Sequence, residues 1–449
     1  MALADKLNIV QNISKTVTSL VISVSALFGT GFVFKSVFHP TSVVLDRIEI
    51  PASLEAQGFK SEVVVQRLLD EINAYKLIAN SNPKGGVDGP ENALFSGMSK
   101  GTDAKIEASV GGISLQSIEQ AVRFVFQKNP QVISGDITNV LTESGFASLE
   151  GRIRLTQQVV SKRKNSPEKT ELDDLLKLLA FDLYAHFEPL RAALAAQRLG
   201  KPELALEVLR PLILSGTPAE RKFALWLRST LAPLTERDQY LLEALSIDPN
   251  FYPALIGMAE FETSQKRYTE SIEYADRAIL LNPSSPLGYN AKGVALRSSG
   301  DRAAGVKEFE KACALPVQSP GCHIHLGLEY MRAIDRQPPT KEALRKAYIE
   351  FAAAIKANPR AAWAHSHAAF VSTELNDLKE AKILILRAIE LEPAEPTHEF
   401  RYAWTRYRMG ERTKAKEMMT NLLEAHPNWL TTRGPQGAQR IANTVLGGQ

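Results

Sequence analysis

The second half of this chain repeats with a period of 34 residues, and that constrains its fold more than any local motif. Pro249 and Pro283 stand one period apart, and Pro359, Pro393 and Pro427 keep the same spacing further on. Pro218 and Pro316 close two more units about one residue out of phase. Small residues recur with the prolines. Ala347, Ala381 and Ala415 lie 12 residues before them, Ser271 does so in a weaker unit, and Ala205 and Gly305 take that place in the shifted units. Ala244, Ala278, Ala354 and Ala388 lie five residues before the proline. A unit of this length is one supersecondary module that cannot bury its apolar face alone, so successive modules must stack.

The runs YTESIEYADRAILLNP, LKEAKILILRAIELEP and AYIEFAAAIKANP resemble the second helix of tetratricopeptide repeats. Tyr289, Gly293, Leu296 and Gly300, and again Leu326, Gly327 and Tyr330, match first helices of the same family. The resemblance covers residues 186–427 and implies about seven helix pairs, beginning near 186, 218, 252, 286, 320, 362 and 396. Two units depart from the pattern. The second has Arg237 where a small residue is expected, which implies looser packing. The fifth carries about eight extra residues around Asp335–Thr340, expected as a longer loop between its helices. Residues 428–449 are expected as C-terminal cap and tail, because a solenoid must cover its last apolar face.

The resemblance further implies a superhelix with a concave groove, lined by first helices, that holds peptides or partner helices and does no chemistry. Asn290 and Arg297 of the fourth unit are then candidate contacts to a peptide backbone or carboxylate. In the last unit Phe400, Trp404 and Tyr407 fall at i, i+4, i+7 on one helix face, beside Arg401 and Arg408. Facing the groove, that stripe is aromatic and arginine chemistry of the kind that dominates binding energy; shifted by one residue, it is core. The family's clamp for C-terminal carboxylates needs Lys, Asn and Arg across consecutive units, and the third unit offers Ile256, Glu260 and Thr263 instead.

His323 and His325, and His365 and His367, sit near the starts of units five and six, with Cys322 adjacent. Residues two apart on a helix point about 200° from each other, so neither pair chelates alone, and no metal or cofactor is expected. Cys313 and Cys322 span the turn between units four and five and can bridge in an oxidising compartment.

At the other end, 19 uncharged residues run between Lys15 and Lys35. As a helix they span roughly 28 Å, enough to cross a bilayer. An uncleaved anchor at 16–38, after a 1–15 tail, is the expectation; a cleaved signal peptide is the alternative, with Gly29-Thr30-Gly31 the nearest match to a cleavage site, but the apolar run continues past it through Phe32, Val33 and Phe34. The lysine and arginine distribution leans to an exported payload, and together with the domain order this points to a bacterial inner membrane facing the periplasm.

Residues 44–185 alternate strand and helix patterns: strands at Asp46–Pro51, Lys105–Val110, Gln131–Val140 and Ser148–Thr156, and helices from Ser61, from Ser114 and at Leu172–Leu183. The order β-α-β-α-β-β-α describes a small α+β domain with helices on one face of a sheet, interrupted by a long loop at 80–105. Ser61 is expected as an N-cap. Gly111-Gly112 lacks the further glycines of a phosphate-binding loop. The strings IEIP, GGISLQSIEQ and ISGDIT resemble the front part of bacterial membrane-tethered repeat proteins.

The predicted architecture is therefore an α+β domain after one transmembrane helix, followed by an all-α tetratricopeptide solenoid. A net charge of +3 and 23% charged residues are ordinary for a globular surface and give no reason to expect nucleic acid. The expected function is a membrane-anchored adaptor, not an enzyme, that binds a protein or peptide, with homo-oligomers open. Two alternatives stand beside it: a self-assembling structural protein, and an enzyme or sensor using Asp46, Glu49, Arg152 and Arg154.

Overall fold

The computed structural model describes residues 42–80, 105–108, 131–141, 147–155, 158–164, 172–316, 319–332, 340–393, 395–432 and 437–447. The 1–15 tail, the 16–38 anchor, most of the 80–105 loop, the helix from Ser114 and most of the fifth-unit insertion lie outside them. The inner-membrane location is corrected: no helix among the described residues is long and apolar enough to cross a membrane. The chain divides into two compact units, Met1–Leu77 with Met98–Ala192, and Ile78–Gly97 with Ala193–Gln449.

In the first unit, β1 (Ser42–Glu49), β2 (Lys105–Ala108), β3 (Gln131–Leu141), β4 (Ala147–Leu155) and β5 (Gln158–Lys164) form one sheet in the order β2-β1-β3-β4-β5. β1 runs parallel to β2 and β3, and β3-β4-β5 is an antiparallel meander. The helices are α1 (Ala52–Glu55), α2 (Ser61–Asn80) and α3 (Leu172–Phe187). Alternation along the meander sends Ile133, Ile137, Leu149 and Ile153 into the core. Gly151 sits under α3, where an added Cβ would stand 2.6 Å from Leu179. Tyr75 of α2 meets Phe181 of α3 edge to face, with ring centroids 5.6 Å apart. Burial pushes the Tyr75 phenol up to about 12.

Three details differ from the sequence reading. β1 begins four residues before Asp46. Ser61 is the first helical residue, and its Oγ accepts from the Ile48 N–H, 3.3 Å away. β5 was not anticipated; Ser161 and Arg163 anchor it to Asp182 of α3 at 2.6 Å each.

The repeats begin with α4 (Pro189–Arg198) and α5 (Pro202–Ser215), then α6 (Pro218–Leu231) and α7 (Arg237–Ile247), α8 (Tyr252–Ser264) and α9 (Tyr268–Leu281), α10 (Pro286–Ser299) and α11 (Arg302–Ala314). They continue with α12 (Pro320–Arg332) and α13 (Lys341–Ala357), α14 (Ala362–Glu374) and α15 (Leu378–Leu391), and α16 (Pro396–Arg408) and α17 (Arg412–Ala425).

The periodic prolines act as stops. A residue preceding proline is driven out of the helical region. Accordingly Asp248, Asn282, Asn358, Glu392 and His426, each one residue before a repeat proline, have φ between −134° and −143°. Ala244, Ala278, Ala354 and Ala388 are fully buried where helices approach. Arg237 does not loosen a helix from within, because α7 starts at that residue. α18 (Trp429–Thr432) and α19 (Ala438–Leu446) close the array, packing Trp429, Ile441, Ala442 and Val445 on Phe400, Met419 and Leu422.

Candidate functional site

First helices of successive units touch directly, α6 with α8, α8 with α10, α10 with α12 and α14 with α16, whereas each second helix meets the next unit through that unit's first helix. The α12–α14 junction aside, these first helices make up one directly packed layer of the array, and the candidate residues lie on it.

A row of packed side chains runs along this layer at one position of the repeat. His325 of α12 stacks on Phe309, with centroids 4.7 Å apart and planes at 19°. One unit on, His367 of α14 stacks on Phe351 at 5.0 Å and 17°. Each phenyl ring also fills the space above a glycine of the preceding first helix, since a Cβ at Gly293 would lie 2.6 Å from Phe309 and one at Gly327 2.5 Å from Phe351. A further 34 residues along stands Arg401 of α16.

Arg401 is only 4% exposed. Its Nη1 donates to Ser366 Oγ at 2.8 Å and its Nη2 to His367 Nδ1 at 3.0 Å, between the rings of Trp363 and Phe370. Burial lowers the guanidinium to about 10, so it stays charged at neutral pH. Burial, with Arg401, His398 and His325 nearby, holds His367 well below its ordinary value, and a neutral ring is what allows Nδ1 to accept. His398 Nδ1 shares Ser366 Oγ at 3.0 Å. This seam ties α14 to α16.

Beside the seam lies a half-buried terrace. Trp404 and Tyr407 stack with centroids 5.6 Å apart and planes at 10°. Trp404 Nε1 donates to Glu374 Oε1 at 2.7 Å, and Arg408 lies 5.5 Å over the Trp404 ring and 3.6 Å from the same carboxylate. Arg412 lies 5.8 Å over Tyr407.

The seven candidate residues thus fall into different places. Trp404, Tyr407 and Arg408 come together on the terrace. Phe400 is core, its ring 5.2 Å from Trp429, and Arg401 belongs to the seam. Asn290 is 1% exposed and gives Nδ2 to Ser319 Oγ at 3.4 Å. Arg297 faces Glu329 at 3.5 Å and Phe309 at 5.5 Å. Sequence reasoning missed Glu374, Ser366 and Arg412. The shared repeat position of His325, His367 and Arg401 was the available signal.

The histidine pairs do not meet as ligands: His325 is lowered to about 3 by burial, and His367 spends its Nδ1 on Arg401. Cys313 and Cys322 are bridged. On the sheet, Arg154 pairs with Asp136, and Arg152 and Lys162 with Glu150, so the arginines considered for chemistry are committed to the ladder.

The tetratricopeptide repeat family model matches residues 399–428, which span most of α16 and all of α17. No curated protein matches the chain. Among solved structures, the Cut9–Hcn1 hetero-tetramer of APC/C is similar at 15% identity and TM-score 0.47, over 61% of this chain and 52% of that one. The human IFIT1 dimer with m7Gppp-AAAA is similar at 16% and 0.40, over 56% and 64%. YrrB, described as a TPR protein with an unusual peptide-binding site, is similar at 18% and 0.31, over 42% and 92%. The chain thus spans about half the length of the first of these, and nothing about its ligand follows from likeness at this level.

Proposed function

We propose that this chain is a repeat-built scaffold that binds a protein or peptide on the first-helix face of its last two units. The observation that carries the reading is the Trp404–Tyr407 stack, half-exposed and flanked by Arg408 and Arg412. Tryptophan, tyrosine and arginine supply large contact area with few rotatable bonds, and they dominate interface energetics for that reason. Here the stack and the Glu374 contacts already hold the rings, so little ordering cost remains at binding. The seam of Arg401, Ser366 and His367 fixes the spacing of the two helices beneath. Two arginines beside two aromatic rings favour a partner segment that carries an apolar or aromatic side chain next to a carboxylate.

A peptide library selected on the full chain tests this. Selected peptides should bear that pattern and lose roughly tenfold or more in affinity to Trp404→Ala and to Arg408→Glu. Ile383→Ser, on the exposed face of α15, should leave affinity unchanged. Peptides indifferent to both terrace variants would remove the proposal.

A further inference from the structure

The repeats hold a cluster that the binding terrace does not use. Cys313 lies in the last turn of α11, Cys322 and His323 lie in the first turn of α12, and ligand atoms of all three lie within 4.8 Å of one another. Cys322 is fully buried, and Cys313 and His323 are partly buried. His323 Nδ1 stands 2.8 Å from Glu350 Oε2 on α13. An imidazole that donates its Nδ1–H to that carboxylate has its Nε2 lone pair left for a metal. A covalent cross-link needs neither the ring nor the carboxylate. A metal does: ligating histidines regularly give their second nitrogen to a carboxylate that fixes tautomer and orientation.

We propose that Cys313, Cys322 and His323 form a redox-gated site for Zn²⁺ or another thiophilic divalent ion, with Glu350 as the positioning residue. In the oxidised chain the sulfurs are bonded to each other and the site is closed. A dithiol reductant opens it: two electrons and two protons pass to the Sγ–Sγ bond, which breaks into two thiols while the reductant becomes a disulfide. Metal binding then releases both thiol protons. Two thiolates and a neutral imidazole balance the charge of a divalent ion. Zinc takes sulfur at about 2.3 Å and nitrogen at about 2.0–2.1 Å, which in a tetrahedron sets ligand atoms roughly 3.3–3.8 Å apart. The three ligand atoms already lie within 4.8 Å of one another, with the two cysteine Cα atoms 5.5 Å apart. The fourth position is left for water or a partner's ligand, and the occupied site clamps α11 of unit four to α12 of unit five.

The test uses the full chain, metal-free, under anaerobic conditions and with a phosphine reductant, which leaves as the phosphine oxide with oxygen from water. Titration with Co²⁺ should give a thiolate-to-cobalt charge-transfer band that saturates at one equivalent and is displaced by Zn²⁺. The oxidised chain should give none. Glu350→Gln should weaken binding roughly 10- to 100-fold, and His323→Gln at least as much. Because the reduced and oxidised forms of the unaltered chain are compared first, the result does not hinge on a variant folding. Absence of the band in the reduced chain, the same band in the oxidised chain, or a band unaffected by both Cys313→Ser and His323→Gln would overturn the proposal.

Discussion

His325 stacks on Phe309 with its Nδ1 buried, and among the described residues that nitrogen meets no hydrogen-bond partner. Burial and the Arg297 charge lower it to about 3, and His367 is lowered by burial and Arg401. Both rings are therefore neutral in the folded chain across the range where an exposed histidine gains a proton near pH 6.5. Below that pH the unfolded chain binds more protons than the folded one, so stability falls as pH falls. Each such histidine removes about 1.4 kcal/mol per pH unit below 6.5, until its folded value is reached. The urea midpoint, followed by helical circular dichroism, should drop between pH 7 and pH 5. His325→Phe, which keeps a ring on Phe309, should flatten that drop. An unchanged slope would show that His325 is not held neutral. The sequence marked these histidines by their pairing, but their chemistry depends on the phenyl ring and guanidinium that stacking brings to them.

At the scale of elements, first and second helices of units four and five approach closely where glycine meets phenylalanine. Gly327 faces the Phe351 ring so tightly that a Cβ would lie 2.5 Å from it, and the ring is held on its other side by His367. Gly327→Ala should therefore cost about 1–3 kcal/mol by overpacking, whereas at Gly300, where a Cβ meets nothing within 4 Å, only the left-handed backbone at φ 106° opposes substitution. Thermal melts of both variants separate the two causes. The solenoid helices were legible because their signals are local and repeated: proline stops, buried alanines and apolar residues at helical spacing. β5 was not, because QVVSKRK carries charge where an apolar alternation would announce a strand. Its place is set by Asp182, which reaches Ser161 and Arg163 from 21 and 19 residues away. Phe400, Trp404 and Tyr407 share one face in the sequence and pack on one cluster in the fold, but only Phe400 is fully buried in it, whereas Trp404 and Tyr407 stay partly exposed at its edge.

For the whole molecule, a stacked array draws stability from each unit and from its nearest-neighbour contacts, so a binding face can be carried by two adjacent units without involving the rest. The seam and terrace fit that division: the seam is built from α14 and α16, and the terrace from the same two helices with Arg412 of α17 at its edge. What the period could not reveal is which first-helix side chains are spent on their neighbours. Asn290, Arg297 and Arg401 carry recognition chemistry in the sequence, yet the layer itself engages them. The most direct measurement is amide hydrogen exchange of the full chain with and without a selected peptide. Binding should slow exchange in 362–374 and 396–408 more than in 378–391 and 412–425. Protection confined to those second helices, or to the sheet strands at 131–164, would contradict the account.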